Sequence, residues 1–116
     1  MDPLEKDRRY LMLMGQAIGH IEQFTRGGRA AFMESMVTRH AVLWNLELLS
    51  VAARKLSQEE RDEHPEVDWE HICTLSRDVI GNPWEVDEQR VWECVEKEMP
   101  PLRHQIREIL VSRLMK

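Results

Sequence analysis

Apolar residues along the chain recur at steps of three and four, not two. After Asp2-Pro3, Leu4, Leu11, Met14, Ile18 and Ile21 keep such a phase, with Tyr10, Leu13, Ala17 and Phe24 widening the stripe. Asp2 is a good cap and Pro3 suits a first turn, so the pattern predicts a first helix of about six turns. Gly27-Gly28 ends it, because glycine accepts the left-handed conformation just past a helix C-terminus. A short turn around Ala30 to Glu34 precedes a second long helix, from about Met36 to Leu56. Ala41, Asn45, Leu49, Ala52 and Leu56 run down one face of it, with Val37, Trp44, Leu48 and Val51 beside them. Ser57-Gln58-Glu59-Glu60 has capping-box spacing and opens another short turn. Asp68 caps a third helix carrying Trp69, Ile72, Leu75, Val79 and Ile80, which cannot pass Gly81-Asn82-Pro83; residues 81 to 86 are expected as a tight loop. Asp87 starts a fourth helix in which Val91, Val95, Met99, Leu102, Ile106, Ile109 and Leu114 hold one phase across Pro100-Pro101, predicting a kink without loss of register. Four amphipathic helices with short connections predict an all-α, antiparallel up-down four-helix bundle with a possible short extra helix, expected to be dimeric.

Composition narrows the class. The 116 residues fit one domain, spanning 1–116, with two cysteines, Cys73 and Cys94, in helix-like stretches without partners at metal-ligand spacing. Reduced thiols, the lack of a long apolar run and a charged N-terminal stretch point to a cytoplasmic protein that is not a membrane protein. The net charge of −5 weighs against a nonspecific nucleic-acid binder until its distribution is considered. Residues 57 to 70 hold seven acids against Arg61, a net −6, so the other 102 residues carry 15 bases and 14 acids. That acidic segment reads as a solvated inter-helix loop. The stretch from Pro101 onward has Arg103, Arg107, Arg113 and Lys116 against Glu108, so a site near Arg77 could still attract phosphate.

Familiar catalytic signatures are missing: no Gly-rich phosphate loop, no His-Glu-x-x-His, no Cys-x-x-Cys and no Gly-x-Ser-x-Gly occurs. His20, His40, His64, His71 and His104 are scattered, and neither a metal site nor a cofactor is expected. Two features carry chemical interest. Asn45 interrupts an apolar stripe, and a buried amide must find partners, either on a neighbouring helix or in a ligand. Arg77 precedes the Gly-Asn-Pro-Trp turn, where a cation, an amide and an aromatic could converge; arginine there also simply complements a helix C-terminus.

Across nearly its whole length the chain resembles the HepT-like group of HEPN proteins. The resemblance runs through Asp7-Arg8-Arg9-Tyr10-Leu11, Ile18-Gly19-His20-Ile21-Glu22, Thr25-Arg26-Gly27-Gly28-Arg29, Asn45-Leu46-Glu47-Leu48-Leu49, His64-Pro65-Glu66-Val67-Asp68-Trp69 and Val91-Trp92-Glu93-Cys94-Val95-Glu96. It implies a metal-independent ribonuclease toxin, acting as a homodimer and encoded beside a minimal nucleotidyltransferase antitoxin. The family site is an Arg-x4-His-x-Tyr motif at the end of the third helix, met by its mate across the dimer. There histidine moves protons, arginine steadies phosphate charge and the ribose 2′-hydroxyl attacks. In that family the partner silences the toxin by placing AMP on the motif tyrosine.

This sequence departs from the motif. Counting from Arg77, Asn82 stands at the histidine position and Trp84 at the tyrosine position; with one residue fewer before Val91-Trp92, Pro83 takes the tyrosine's place instead. The only tyrosine is Tyr10. Arg77 and Asn82 are thus the candidate catalytic pair, and Asn45 and Trp84 the candidate substrate contacts. Two readings follow: a ribonuclease using a relocated base such as His71 or His104, or a catalytically inactive HEPN module that binds RNA or a nucleotidyltransferase. A third is a helical homodimer that only scaffolds a partner. No DNA specificity is evident.

Overall fold

A computed structural model describes residues 2–115, and the described residues are all-helical, without a strand. The long helices are α1 (Pro3–Phe24), α3 (Met36–Arg54), α5 (Trp69–Ile80) and a final rod built from α6 (Glu88–Glu93), a π turn (Cys94–Glu98) and α7 (Met99–Leu114). Two short helices, α2 (Gly28–Glu34) and α4 (Gln58–Glu63), lie in the connections. The predicted caps are made: Asp2 accepts from the Leu4 amide at 3.0 Å, Ser57 from Glu60 at 3.1 Å, Asp68 from His71 at 3.1 Å, and Asp87 from Gln89 at 3.1 Å. Gly28, with φ 89°, occupies the left-handed region where the chain leaves α1.

Neighbouring helices run antiparallel. Asp7 of α1 meets Ser57 while His20 meets Asn45, so α1 and α3 oppose each other in direction. Glu47 meets Ser76 and Arg54 meets the Cys73 carbonyl, which does the same for α3 and α5. Glu22 pairs with Arg103 at 2.7 Å where α1 crosses α7. Phe32 of α2 stacks on Trp92 of α6 with ring centroids 5.4 Å apart, so the expected short turn near Ala30 is a helix docked on the final rod.

The core contains Leu11, Met14, Ile18 and Ile21 from α1, Ile72, Leu75 and Val79 from α5, and Val91, Met99, Leu102, Ile106 and Ile109 from the last rod, as the periodicity predicted. Helix α3 differs. Its buried arc is Val42, Asn45, Leu46, Leu49, Ser50, Ala52 and Ala53, whereas Val37, Trp44 and Leu48 are exposed. This helix packs against both α1 and α5, so its inner face is broad. It admits polar residues because their bonds are made inside: Ser50 donates to the Ile72 carbonyl at 2.8 Å and accepts from the Ser76 amide at 3.1 Å. Leu4 and Leu114, expected in the stripes, are exposed near the ends of the described chain.

The proline pair sits at the start of α7, directly after the π turn. In that turn the Met99 amide reaches back to the Cys94 carbonyl, a five-residue step that widens the helix. Pro100 and Pro101 lack amides and would crowd the carbonyls a turn earlier, and the widened turn accommodates them while α6 and α7 stay in one rod.

Candidate functional site

The third long helix delivers Arg77 to one end of the molecule. Gly81 follows with φ 62° and ψ −120°, a conformation that suits glycine, and its amide closes on the Arg77 carbonyl at 2.9 Å. The chain then turns through Asn82, whose Oδ1 accepts the Trp84 amide at 3.0 Å, and reaches the Asp87 cap. Between this turn, α5 and α3 lies an open groove of about 490 Å³. Ser76 and Arg77 from α5 and Glu47 from α3 supply polar atoms, His40 stands with Glu47 on the α3 wall, and Leu43, Trp44, Ile80 and Pro83 make the apolar part.

Arg77 is the candidate site residue that lines this groove. Its side chain is 77% exposed, and its Nε stands 3.8 Å from Asp78, too loose to hold it away from an anion. Asn82 and Trp84 sit on the adjoining turn outside the groove lining. The Asn82 carbonyl oxygen is engaged with the turn's own backbone, and Trp84 is 92% exposed. Asn45 lies elsewhere. It is buried against α1, its Nδ2 donating to the Ala41 carbonyl at 2.8 Å and its Oδ1 3.2 Å from His20 Nδ1, which is the structural use of a buried amide.

Neither of the two expected replacement histidines lines the Arg77 groove. His71 is six residues earlier on α5, about 9 Å along the axis and on another face, and its Nε2 is 2.5 Å from Glu98 Oε1. His104 is exposed on α7. The sequence reading missed His40, Glu47 and Ser76. A signal existed: His40, Trp44 and Glu47 fall at i, i+4 and i+7 on α3, one face that reading Trp44 as a flank of the apolar stripe obscured.

Other polar clusters are occupied differently. The acidic segment is not wholly a solvated loop: Glu60 is buried in contact with the Arg113 guanidinium and 3.2 Å from His64 Nε2. Glu60, Glu63 and His64 bring potential ligand atoms within 4.8 Å of one another, but the Glu60 carboxylate of that group is already paired with Arg113. The larger concavity nearby, about 670 Å³, is lined by Asp62, Glu66, Asp68 and Glu70 and would repel phosphate. Of the basic residues expected to favour phosphate, Arg103 and Arg113 are spent in ion pairs with Glu22 and Glu60, and Lys116 lies outside the described residues. Cys94 is no nucleophile: burial, then the neighbouring Glu98 carboxylate, pushes its thiol pKa far up.

Comparison with known proteins gives a consistent result. The family described as "Ribonuclease HepT-like" matches residues 14–109. The provisionally named RNase TTE0752 of Caldanaerobacter subterraneus subsp. tengcongensis is 32% identical over 79 residues, covering 68% of this chain and 70% of that protein. A "Probable ribonuclease HepT" of Thermococcus cleftensis is 28% identical over 95 residues, covering 81% of this chain and 86% of its own. No solved structure matches the chain significantly. The match spans α1 from Met14, all of α3 and α5, the Arg77 turn and most of the final rod, and the chain belongs to the HepT-like ribonuclease family of HEPN proteins.

Proposed function

We propose that the protein is a metal-independent endoribonuclease whose substrate phosphate binds at Arg77. One observation carries this reading: in a chain of a ribonuclease family, Arg77, which the resemblance aligns with the motif arginine, is exposed on a groove with apolar walls and a histidine. The guanidinium would steady the charge that grows on the phosphorus oxygens during transfer, and Trp44 offers an aromatic face to an unpaired base. The bundle would act as a homodimer of HEPN type, with two Arg77 grooves contributing to one composite site. Val37, Trp44 and Leu48 on α3, with Leu13 and Phe24 on α1, leave an apolar face suited to such an association.

The natural partner on this reading is a minimal nucleotidyltransferase antitoxin in the cytoplasm, the two forming a toxin–antitoxin module. Its control differs from that of the motif-bearing family, because the 81–86 turn offers no tyrosine to receive AMP. Incubation with that partner and ATP is expected to leave the turn unmodified in a peptide mass map; an added AMP there would refute this.

Asn82 supports a second reading, a catalytically inactive module that binds RNA or the nucleotidyltransferase. An amide cannot exchange protons, and Asn82 Oδ1 is held by the Trp84 amide. Purified protein with structured RNA in EDTA separates the two: cleavage that Arg77→Ala abolishes supports the ribonuclease, and RNA bound but never cut supports the binding module.

A further inference from the structure

Register between α3 and α5 brings an unassigned imidazole, His40, into the groove that Arg77 lines. Glu47 Oε2 accepts from Ser76 Oγ at 2.8 Å, and Arg54 donates to the Cys73 carbonyl at 2.7 Å, so the helices are antiparallel with a settled pairing. Moving seven residues back from Glu47 along α3 reaches His40, two turns away, on the same face. The matching advance from Ser76 leads off the end of α5 to Pro83, and His40 and Pro83 do line one groove with Arg77. Pro83 adjoins Asn82, the residue standing where the motif histidine would be.

We propose that His40 is the general base of the cleavage reaction, replacing from α3 the imidazole that the α5 motif lacks; this rests on the ribonuclease reading above. Neutral imidazole takes the proton from the ribose 2′-hydroxyl as that oxygen bonds to phosphorus. The bond from phosphorus to the 5′-oxygen breaks, the departing oxygen gains a proton from water, and the products are a 2′,3′-cyclic phosphate and a 5′-hydroxyl. The imidazolium then returns its proton to solvent. Arg77 holds the phosphate throughout. The other ionisable groups on the groove wall are Glu47 from α3 and Arg77 from α5, while the turn contributes only Gly81, Pro83 and Val86. Glu47 is bonded to Ser76 and stands 3.5 Å from Arg54, which occupies its carboxylate with structural partners and leaves His40 as the proton acceptor.

The side chain of His40 is exposed, so substitution should leave the fold intact. The test compares single-turnover cleavage of a structured RNA in EDTA by the full chain, by His40→Gln and by His40→Ala with and without added imidazole, alongside RNA binding and circular dichroism. The expected result is a loss of about 10²- to 10⁴-fold in cleavage by His40→Gln with RNA affinity retained, and partial recovery of His40→Ala by imidazole. If the unaltered chain cleaves and His40→Gln cleaves equally, the assignment of His40 falls and the ribonuclease reading stands. If His40→Gln loses affinity as much as cleavage and imidazole restores nothing to His40→Ala, His40 is a binding residue and the proposal is overturned. If the unaltered chain binds RNA without cutting it, both readings fall together.

Discussion

Arg77 and Asp7 show how differently two charged side chains of one small protein are used. Arg77 is turned to solvent beside a groove, with only a loose contact to Asp78, and contributes little to the fold. Replacing it with alanine should leave the thermal midpoint within the scatter of surface substitutions while removing activity; a large drop in midpoint would show that the guanidinium is structural. Asp7 is buried, and it accepts from both the Ser57 amide, at 2.9 Å, and the Ser57 hydroxyl, at 2.6 Å. These bonds tie the first turns of α1 to the end of α3 across fifty residues of sequence. Asp7→Ala would leave the Ser57 donors without their partner, and we expect a loss of about 1–3 kcal/mol, read from the shift of the urea midpoint. An unchanged midpoint would contradict that role. Asp7 looks like any other helical acid in the sequence, because nothing local marks its partner.

At the scale of elements, capping residues and apolar phase made most helices legible. Asp2, Ser57, Asp68 and Asp87 cap as their types require, and the stripes of α1, α5 and the last rod are those that are buried. On α3 phase put Asn45, Leu49 and Ala52 on the buried arc correctly, but widened it with Val37, Trp44 and Leu48, which are exposed, and left out Val42 and Ser50, which are buried because the helix packs on two sides. Trp44, large and apolar, falls outside that arc and is 62% exposed. The same error hid the groove, whose α3 wall is made by His40, Trp44 and Glu47. On the other wall, Gly81 ends α5 in a conformation that a β-branched residue adopts only under strain. Gly81→Val should therefore destabilise the protein by about 1–3 kcal/mol and displace the 81–86 turn from α3. Wild-type stability with wild-type amide shifts around Arg77 would show that the positive φ is dispensable.

At the scale of the whole molecule, the negative charge is concentrated around α4 and the start of α5, where Glu70 lies about two helical turns before Arg77. Part of that charge is internal, since Glu60 is buried with Arg113 and joins α4 to the end of α7. The acids beside Arg77 itself are Asp78, 3.8 Å from its Nε, and Glu47 on the groove wall, so a phosphate bound there meets these carboxylates as well as the guanidinium. Association is the second property at this scale. The exposed α1–α3 face predicts a homodimer by sedimentation velocity, converted to monomer by Leu48→Lys; a monomer at micromolar concentration in the unaltered protein would remove the composite site. That residues 81–86 hold neither histidine nor tyrosine was readable from sequence, but the shared groove of His40 and that turn depends on the pairing of α3 with α5 and was not.

RNA cleavage by the full chain in EDTA, compared between the unaltered protein and Arg77→Ala, decides whether Arg77 serves a ribonuclease. The expected result is cleavage ending in 2′,3′-cyclic phosphate that the substitution abolishes while the helical fold persists. Binding without cleavage by the unaltered protein, or equal cleavage by Arg77→Ala, would contradict it.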